Sequence, residues 1–189
     1  MDNKYHIGMY GGKFLPFHKG HRYCVEFAAA ECDIVYVILF YGGVDEEKIL
    51  RENPVSWLSV EERKRRICHI CSLIAENCKA EQNLSDILKY RQVEKDSSNT
   101  MNLSFIDVSG LRLPDGSEDW DAETPLVRNI CGMKIDAVYS SEPGYGDYFA
   151  RAYPEAVHRL VDVPRIHYPI SGTMIRNFKA DEERCKWMV

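Results

Sequence analysis

Apolar residues along the chain follow two alternating periods. Tyr5-His6-Ile7-Gly8-Met9-Tyr10 is a short β-prone run closed by Gly11-Gly12, and a polar loop leads from it into helical spacing from about Gly20 to Glu31. Asp33 to Tyr41 is almost continuously β-branched or aromatic, the pattern of a strand covered on both faces. Two parallel strands joined by a helix make a βαβ unit. Ser59-Val60-Glu61-Glu62 has the S-x-x-E spacing of a capping box, and helical periodicity follows to about Asn77. The polar stretch from Lys79 to Thr100 reads as an insertion or mobile segment without chemistry. Beyond it the pattern predicts strands at Asn102 to Val108, Lys134 to Tyr139 and Ala156 to Val161, with helices at Thr124 to Cys131 and Ser171 to Phe178. Strands and helices alternating at these lengths predict a doubly wound, mostly parallel α/β sheet. No internal repeat or Gly/Ser linker divides the chain, so residues 1–189 are expected to form one domain.

Composition narrows the classes. At 45% hydrophobic and 28% charged, 189 residues suffice for one ordinary core. No apolar run reaches the roughly 20 residues of a membrane helix, and no signal-peptide profile opens the chain, so the expected location is the cytoplasm. A net charge of −5 argues against a nucleic-acid-wrapping surface, and any bound anion should occupy a local site. The seven cysteines lack the framework of a small secreted domain, and reduced thiols are expected. Cys68 and Cys71 form C-x-x-C, but they fall in a helical pattern with Ile67, Ile70 and Ile74, so both are expected on a buried face rather than in redox or zinc chemistry. Arg63-Lys64-Arg65-Arg66 could reach a phosphate, yet a charged run on an amphipathic helix is expected to be a solvated face.

Candidate chemistry concentrates between the first strand and its helix, where open α/β sheets bind ligands. In Gly11-Gly12-Lys13-Phe14-Leu15-Pro16-Phe17-His18-Lys19-Gly20-His21 the glycines let backbone N–H groups approach an anion, and the next helix directs its positive end at the same place. The segment is not a Walker A loop, because its first glycine is Gly8 where the spacing needs position 7, and Phe14 stands where Ser or Thr would hold Mg²⁺. His18 and His21, three apart at a helix start, can donate hydrogen bonds to one polyphosphate. As a zinc pair they lack further ligands nearby, and no metal-ligating residue is assigned.

These residues resemble the HxGH nucleotidyltransferase superfamily, whose signature G-x-F-x-P-x-H-x-G-H is met by Gly12, Phe14, Pro16, His18, Gly20 and His21. A second signature, I-S-x-T-x-I-R, is met by Ile170-Ser171-Gly172-Thr173-Met174-Ile175-Arg176. Physically this is a helix start, with Ser171 or Thr173 as its cap and Arg176 as a permanent charge for phosphate. Within the superfamily the chain is similar to NadR-like nicotinamide-nucleotide adenylyltransferases in Lys13, in Leu113-Pro114-Asp115-Gly116 before Asp119-Trp120, in Tyr139-Ser140-Ser141-Glu142, and in Arg176-Asn177-Phe178 with Lys186-Trp187.

The resemblance implies a Rossmann-like fold and transfer of AMP from ATP, with Mg²⁺, to nicotinamide mononucleotide (NMN), giving NAD and pyrophosphate. It implies that His18, His21, Lys13 and Arg176 are catalytic, and that Gly11, Gly12, Phe14, Ser171, Thr173, Ser140, Ser141 and Glu142 bind nucleotide. Trp120 would stack on the nicotinamide ring, with a folded-back structural role as the alternative. NadR-like proteins often add a kinase or DNA-binding unit, and neither is legible here. The alternatives left open are an adenylyl- or cytidylyltransferase acting on phosphopantetheine or a polyol phosphate, and a non-catalytic nucleotide sensor. NMN against nicotinic acid mononucleotide, and oligomeric state, are also open.

Overall fold

The computed structural model describes residues 4–88, 100–132 and 134–189, with side chains from 78 to 88 left out. Its centre is an all-parallel five-stranded sheet of order β3-β2-β1-β4-β5, built from β1 (Tyr5–Gly12), β2 (Cys32–Tyr41), β3 (Thr100–Asp107), β4 (Ala137–Ser140) and β5 (Val157–Leu160). Between them run α1 (Lys19–Glu31), α2 (Val44–Glu52), α3 (Val60–Leu88), α4 (Trp120–Cys131) and α5 (Gly146–Ala152), and α6 (Gly172–Asn177) and α7 (Asp181–Trp187) follow the last strand. The doubly wound α/β class predicted from periodicity is the class found.

Each sheet face carries its own core. Cys24, Val25, Ala28 and Ala29 of α1 pack with Ile67, Ile70, Cys71 and Ile74 of α3 on one face. On the other, Val127 and Cys131 of α4 pack with Ala152 of α5 against Met9, Ile38 and Val138. This two-sided cover explains the unbroken apolar run of β2, whose inner residues have no solvent face to serve.

Several expectations need correcting. Gly11 and Gly12 are the last residues of β1, paired in register with Ile38 and Leu39, rather than the first of the loop. A Cβ on Gly11 would meet the Phe40 ring at 2.7 Å, so close strand packing accounts for that glycine. Helix α3 runs on through Lys79 to Leu88, where an insertion was expected, and 89–99 lie outside the described residues. Helix α4 begins four residues early, capped by Asp119, whose carboxylate accepts from the Ala122 N–H at 3.0 Å. Cys68 is exposed, and only Cys71 of the pair reaches the core. Arg63 is fully buried instead of solvated, in an ion pair with buried Glu46. No helix among the described residues is long and apolar enough to cross a membrane.

Candidate active site

Beyond β1 the chain runs to β2 and β3 on one side, then crosses to β4 on the other. The carboxyl ends of β1 and β4 therefore flank a switch point, the place where a doubly wound sheet leaves a crevice. A cavity of about 470 Å³ lies there, lined by the loop after β1, by Ser140 at the end of β4 with Ser141 and Glu142 after it, and by Ser171 just before α6 with Gly172, Thr173 and Arg176 of that helix. Three non-glycine residues adopt left-handed backbone angles among the described residues, Phe14 (φ 49°), Asp162 (φ 49°) and Arg165 (φ 54°), and all three line this cavity. Such angles cost on the order of 1–3 kcal/mol each and persist only where surrounding structure imposes them.

His18 is the N-cap of α1. Its Nδ1 accepts from the Gly20 N–H at 3.2 Å, while the His18 N–H donates to Nδ1 of His21 at 3.4 Å, so the two imidazoles make the capping box themselves. Both Nδ1 atoms being acceptors, the ring proton of each sits on Nε2. The rings stack at 3.7 Å between centroids, and Phe14 and Phe17 pack on His21. Burial, reinforced by the Arg165 charge, pushes His18 down to about 4. Burial, then His18 and Arg165, pushes His21 down in the same direction. The pair is a double neutral donor near pH 7.

The cations around it differ in what they hold. Lys13 Nζ is clamped by both Glu118 carboxylate oxygens at 2.7 Å and by Asp45 at 3.3 Å. Burial alone would raise Glu118, but the hydrogen bond and charge of Lys13 outweigh it and lower its pKa. Arg165 pairs with Glu142 at 2.6 Å and donates to the Ile170 carbonyl. Arg176 is half-buried, and among the described residues its hydrogen bonds go to neutral acceptors, the Leu15 carbonyl at 2.5 Å and Thr173 Oγ1 at 3.0 Å. Ser171, rather than Thr173, caps α6, accepting from the Met174 N–H at 3.2 Å.

The other sequence-named residues are brought to the same cavity in varied roles. Phe14 is buried, its ring a wall for His21. Ser140 is buried with Oγ 2.7 Å from His158 Nε2, so its hydroxyl is occupied locally. Trp120 is part-exposed at the start of α4, edge-on to Tyr145 and Tyr148, and its Nε1 donates to Glu118 at 3.2 Å. Sequence reasoning missed Arg165, Glu118 and Glu123, all lining the cavity. Glu118 and Glu123 stand among other polar residues of their segment, Arg165 sits between Pro164 and Ile166, and no spacing distinguishes any of them.

Neither a protein-family profile nor a curated protein sequence matches the chain. Solved structures do. A NadR protein in complex with NAD and AMP-PNP superposes at a TM-score of 0.58 and 20% identity over 96% of this chain and 44% of that one. The NadR protein in complex with NR gives 0.58 and 20%, over 98% and 43%. A bifunctional NMN adenylyltransferase/ADP ribose pyrophosphatase from Francisella tularensis gives 0.54 and 19%, over 91% and 41%. The chain has the fold of these proteins. It spans less than half the length of each, and at such identity the likeness concerns the fold.

Proposed function

We propose that the chain is a nucleotidyltransferase that moves the AMP group of ATP to the phosphate of NMN, forming NAD and pyrophosphate. The observation that carries the reading is one cavity in which two neutral Nε2–H donors and the guanidinium of Arg176, without a carboxylate partner among the described residues, line the same space. A half-buried cation whose hydrogen bonds go only to neutral acceptors, beside preset N–H donors, suits a polyphosphate. The ligands in complex with the structural neighbours, NAD, AMP-PNP and NR, are of the same chemical kind.

In this reaction a phosphate oxygen of the acceptor forms a bond to the α-phosphorus as the bond to the bridging oxygen breaks, and the electron pair leaves with pyrophosphate. The acceptor phosphate is already anionic at neutral pH, so no general base is required and the protein contributes orientation and charge. We assign His18 to the α-phosphate and bridging oxygen, His21 and Lys13 to the polyphosphate, and Arg176 with Ser171 and Thr173 to the departing pyrophosphate. Trp120 is assigned to the pyridine ring. Lys13 would have to share its charge between Glu118 and phosphate, which makes its role secondary to Arg176. Imidazole, guanidinium and hydroxyl groups are partners of phosphate oxygen rather than ligands of a hard divalent cation. Mg²⁺ would therefore be held by the phosphates of ATP and by water, where it would neutralise charge.

The test is pyrophosphate release, with mass detection of product, from ATP and Mg²⁺ against a panel of NMN, nicotinic acid mononucleotide, phosphopantetheine and a polyol phosphate, repeated with CTP. NAD from ATP and NMN is the expected product. Release only with phosphopantetheine or the polyol phosphate would move the acceptor assignment, and release with none would end the transferase reading.

A further inference from the structure

One part of the cavity wall is aromatic and acidic at once. Trp120, Tyr145, Tyr148, Phe149 and Tyr153 follow one another in ring contacts of 5.4 to 6.3 Å. Glu123 lines the cavity with them, one helical turn after Trp120 on α4 and so on the same side of the helix. It is only 9% exposed, and among the described residues no group donates a hydrogen bond to its carboxyl. No fully buried side-chain N or O among the described residues lacks a partner, so the Glu123 carboxyl keeps access to the cavity, where an entering group can supply its donor. Nearby, Asp45 and Glu118 set two carboxylates against the single ammonium of Lys13, so this wall is already one negative charge in excess.

We propose that Glu123 is the residue by which this cavity selects a pyridinium nucleotide bearing a carboxamide over its carboxylate counterpart, an inference that rests on the acceptor proposed above. A pyridinium ring is an electron-poor cation, suited to aromatic faces and to an excess of negative charge. Its carboxamide offers an N–H donor and a carbonyl acceptor. Burial and the charge of Glu118 push the Glu123 carboxyl up to about 7, so both of its forms are at hand at neutral pH. The ionised form accepts from the amide N–H, and the protonated form accepts from the N–H while donating to the carbonyl. A carboxylate substituent has no N–H to give, and against ionised Glu123 it places two like charges in a poorly solvated space. A polar site built for one partner rejects the analogue lacking the matching group far better than an apolar pocket does.

Steady-state kinetics of the full chain with NMN and with nicotinic acid mononucleotide, at saturating ATP, test the inference. The wild type is expected to favour NMN in kcat/KM by tenfold or more. Glu123→Gln, whose amide can donate to a carboxylate, and Glu123→Met, similar in volume but without the acid, should each narrow that preference at least tenfold. The change should lie in acceptor KM, with ATP KM moving less than twofold, and each variant's melting temperature checks its fold. A preference within twofold of wild type in either folded variant overturns the inference. So does a wild type that favours the carboxylate, whatever the variants do. A wild type that makes no dinucleotide from either acceptor would instead remove the acceptor assignment, and this inference with it, while adenylyl transfer to other phosphates would still be judged on the panel.

Discussion

His18 holds two positions at once: its Nδ1 finishes the first turn of α1, and its ring, protonated on Nε2, lines the cavity, where we propose that it donates. Alanine would confuse the two roles, because losing an N-cap costs about 1 kcal/mol by itself. Asparagine keeps a capping oxygen and removes the ring donor. His18→Asn should therefore leave melting at pH 8 nearly unchanged while kcat falls about 100-fold, the scale of one donor lost from a developing charge. Equal turnover in a folded His18→Asn protein would remove the ring from the reaction. The same residue carries a pH signature. In the unfolded chain an imidazole binds its proton below about pH 6.5, and in the folded protein only near pH 4. The unfolded state thus holds more protons between those values, and stability drops as pH falls through that window, by a few kcal/mol for a shift of this size. Calorimetry from pH 8 to 4 should show a shallower decline for His18→Asn than for wild type, and parallel curves would contradict this. Trp120→Ala should raise the KM for NMN about tenfold at constant ATP KM, as befits a stacking loss of about 1–2 kcal/mol. A drop in melting temperature alone would make Trp120 a packing residue. His18, His21 and Arg176 were legible because two rare spacings mark them. Glu118 and Glu123 were not, since only the fold reveals which acid of a polar loop or helix start turns inward.

Helix α3 shows how register can outrank residue type. Arg63 precedes Ile67, Ile70 and Ile74 by four, seven and eleven positions, which puts it on the apolar face of the helix. The charge made solvation the expectation, but the structure follows the period. Arg63 pairs with Glu46 of α2, and its guanidinium donates to the Lys13 carbonyl at 2.6 Å and the Leu58 carbonyl at 3.0 Å. It thereby ties two helices to the loop that carries Lys13. Glu46 also accepts from the Gly42 N–H at 3.1 Å. Arg63→Met should cost about 3–5 kcal/mol in urea unfolding, because it strands a buried carboxylate. The double change Glu46→Leu with Arg63→Met should recover most of that stability yet leave kcat/KM depressed, since the Lys13 carbonyl still lacks its donor. Full kinetic recovery would mean the pair matters only to stability. Ser59 makes half of its expected capping box, accepting from the Glu62 N–H at 3.2 Å, while the Glu62 side chain turns to Arg65 and Arg66. Helices α2, α5 and α7 escaped notice because they are short, nine, seven and seven residues, too few for a helical period to stand out. Pro125 suits the first turn of a helix starting at Thr124, which hid the earlier start at Trp120.

At the scale of the molecule, the cavity is a seam between segments far apart in sequence. Arg176 reaches the Leu15 carbonyl 161 residues away, and Gly172 lies so near that a Cβ would stand 2.7 Å from the same oxygen. Gly172→Ala should improve the intrinsic helix propensity of α6 by up to about 1 kcal/mol. It should nonetheless lower kcat/KM on the order of tenfold to a hundredfold by displacing Arg176 from the imidazoles. Unchanged kinetics would show that the seam yields without cost. The sheet class was legible because buried strands announce themselves by composition, and the meeting of the two signatures only because both were recognised as one pattern. The seam also has a temporal meaning. A ribosome releases the N-terminal signature first, and the two cavity histidines emerge well before Arg176 exists. A chain cut short before Ile170 would keep all five strands, the imidazole pair and Lys13, yet lack the guanidinium proposed for the departing pyrophosphate. Incomplete translation products of this gene should accordingly be inert toward ATP, and no wasteful hydrolysis should precede completion of the fold.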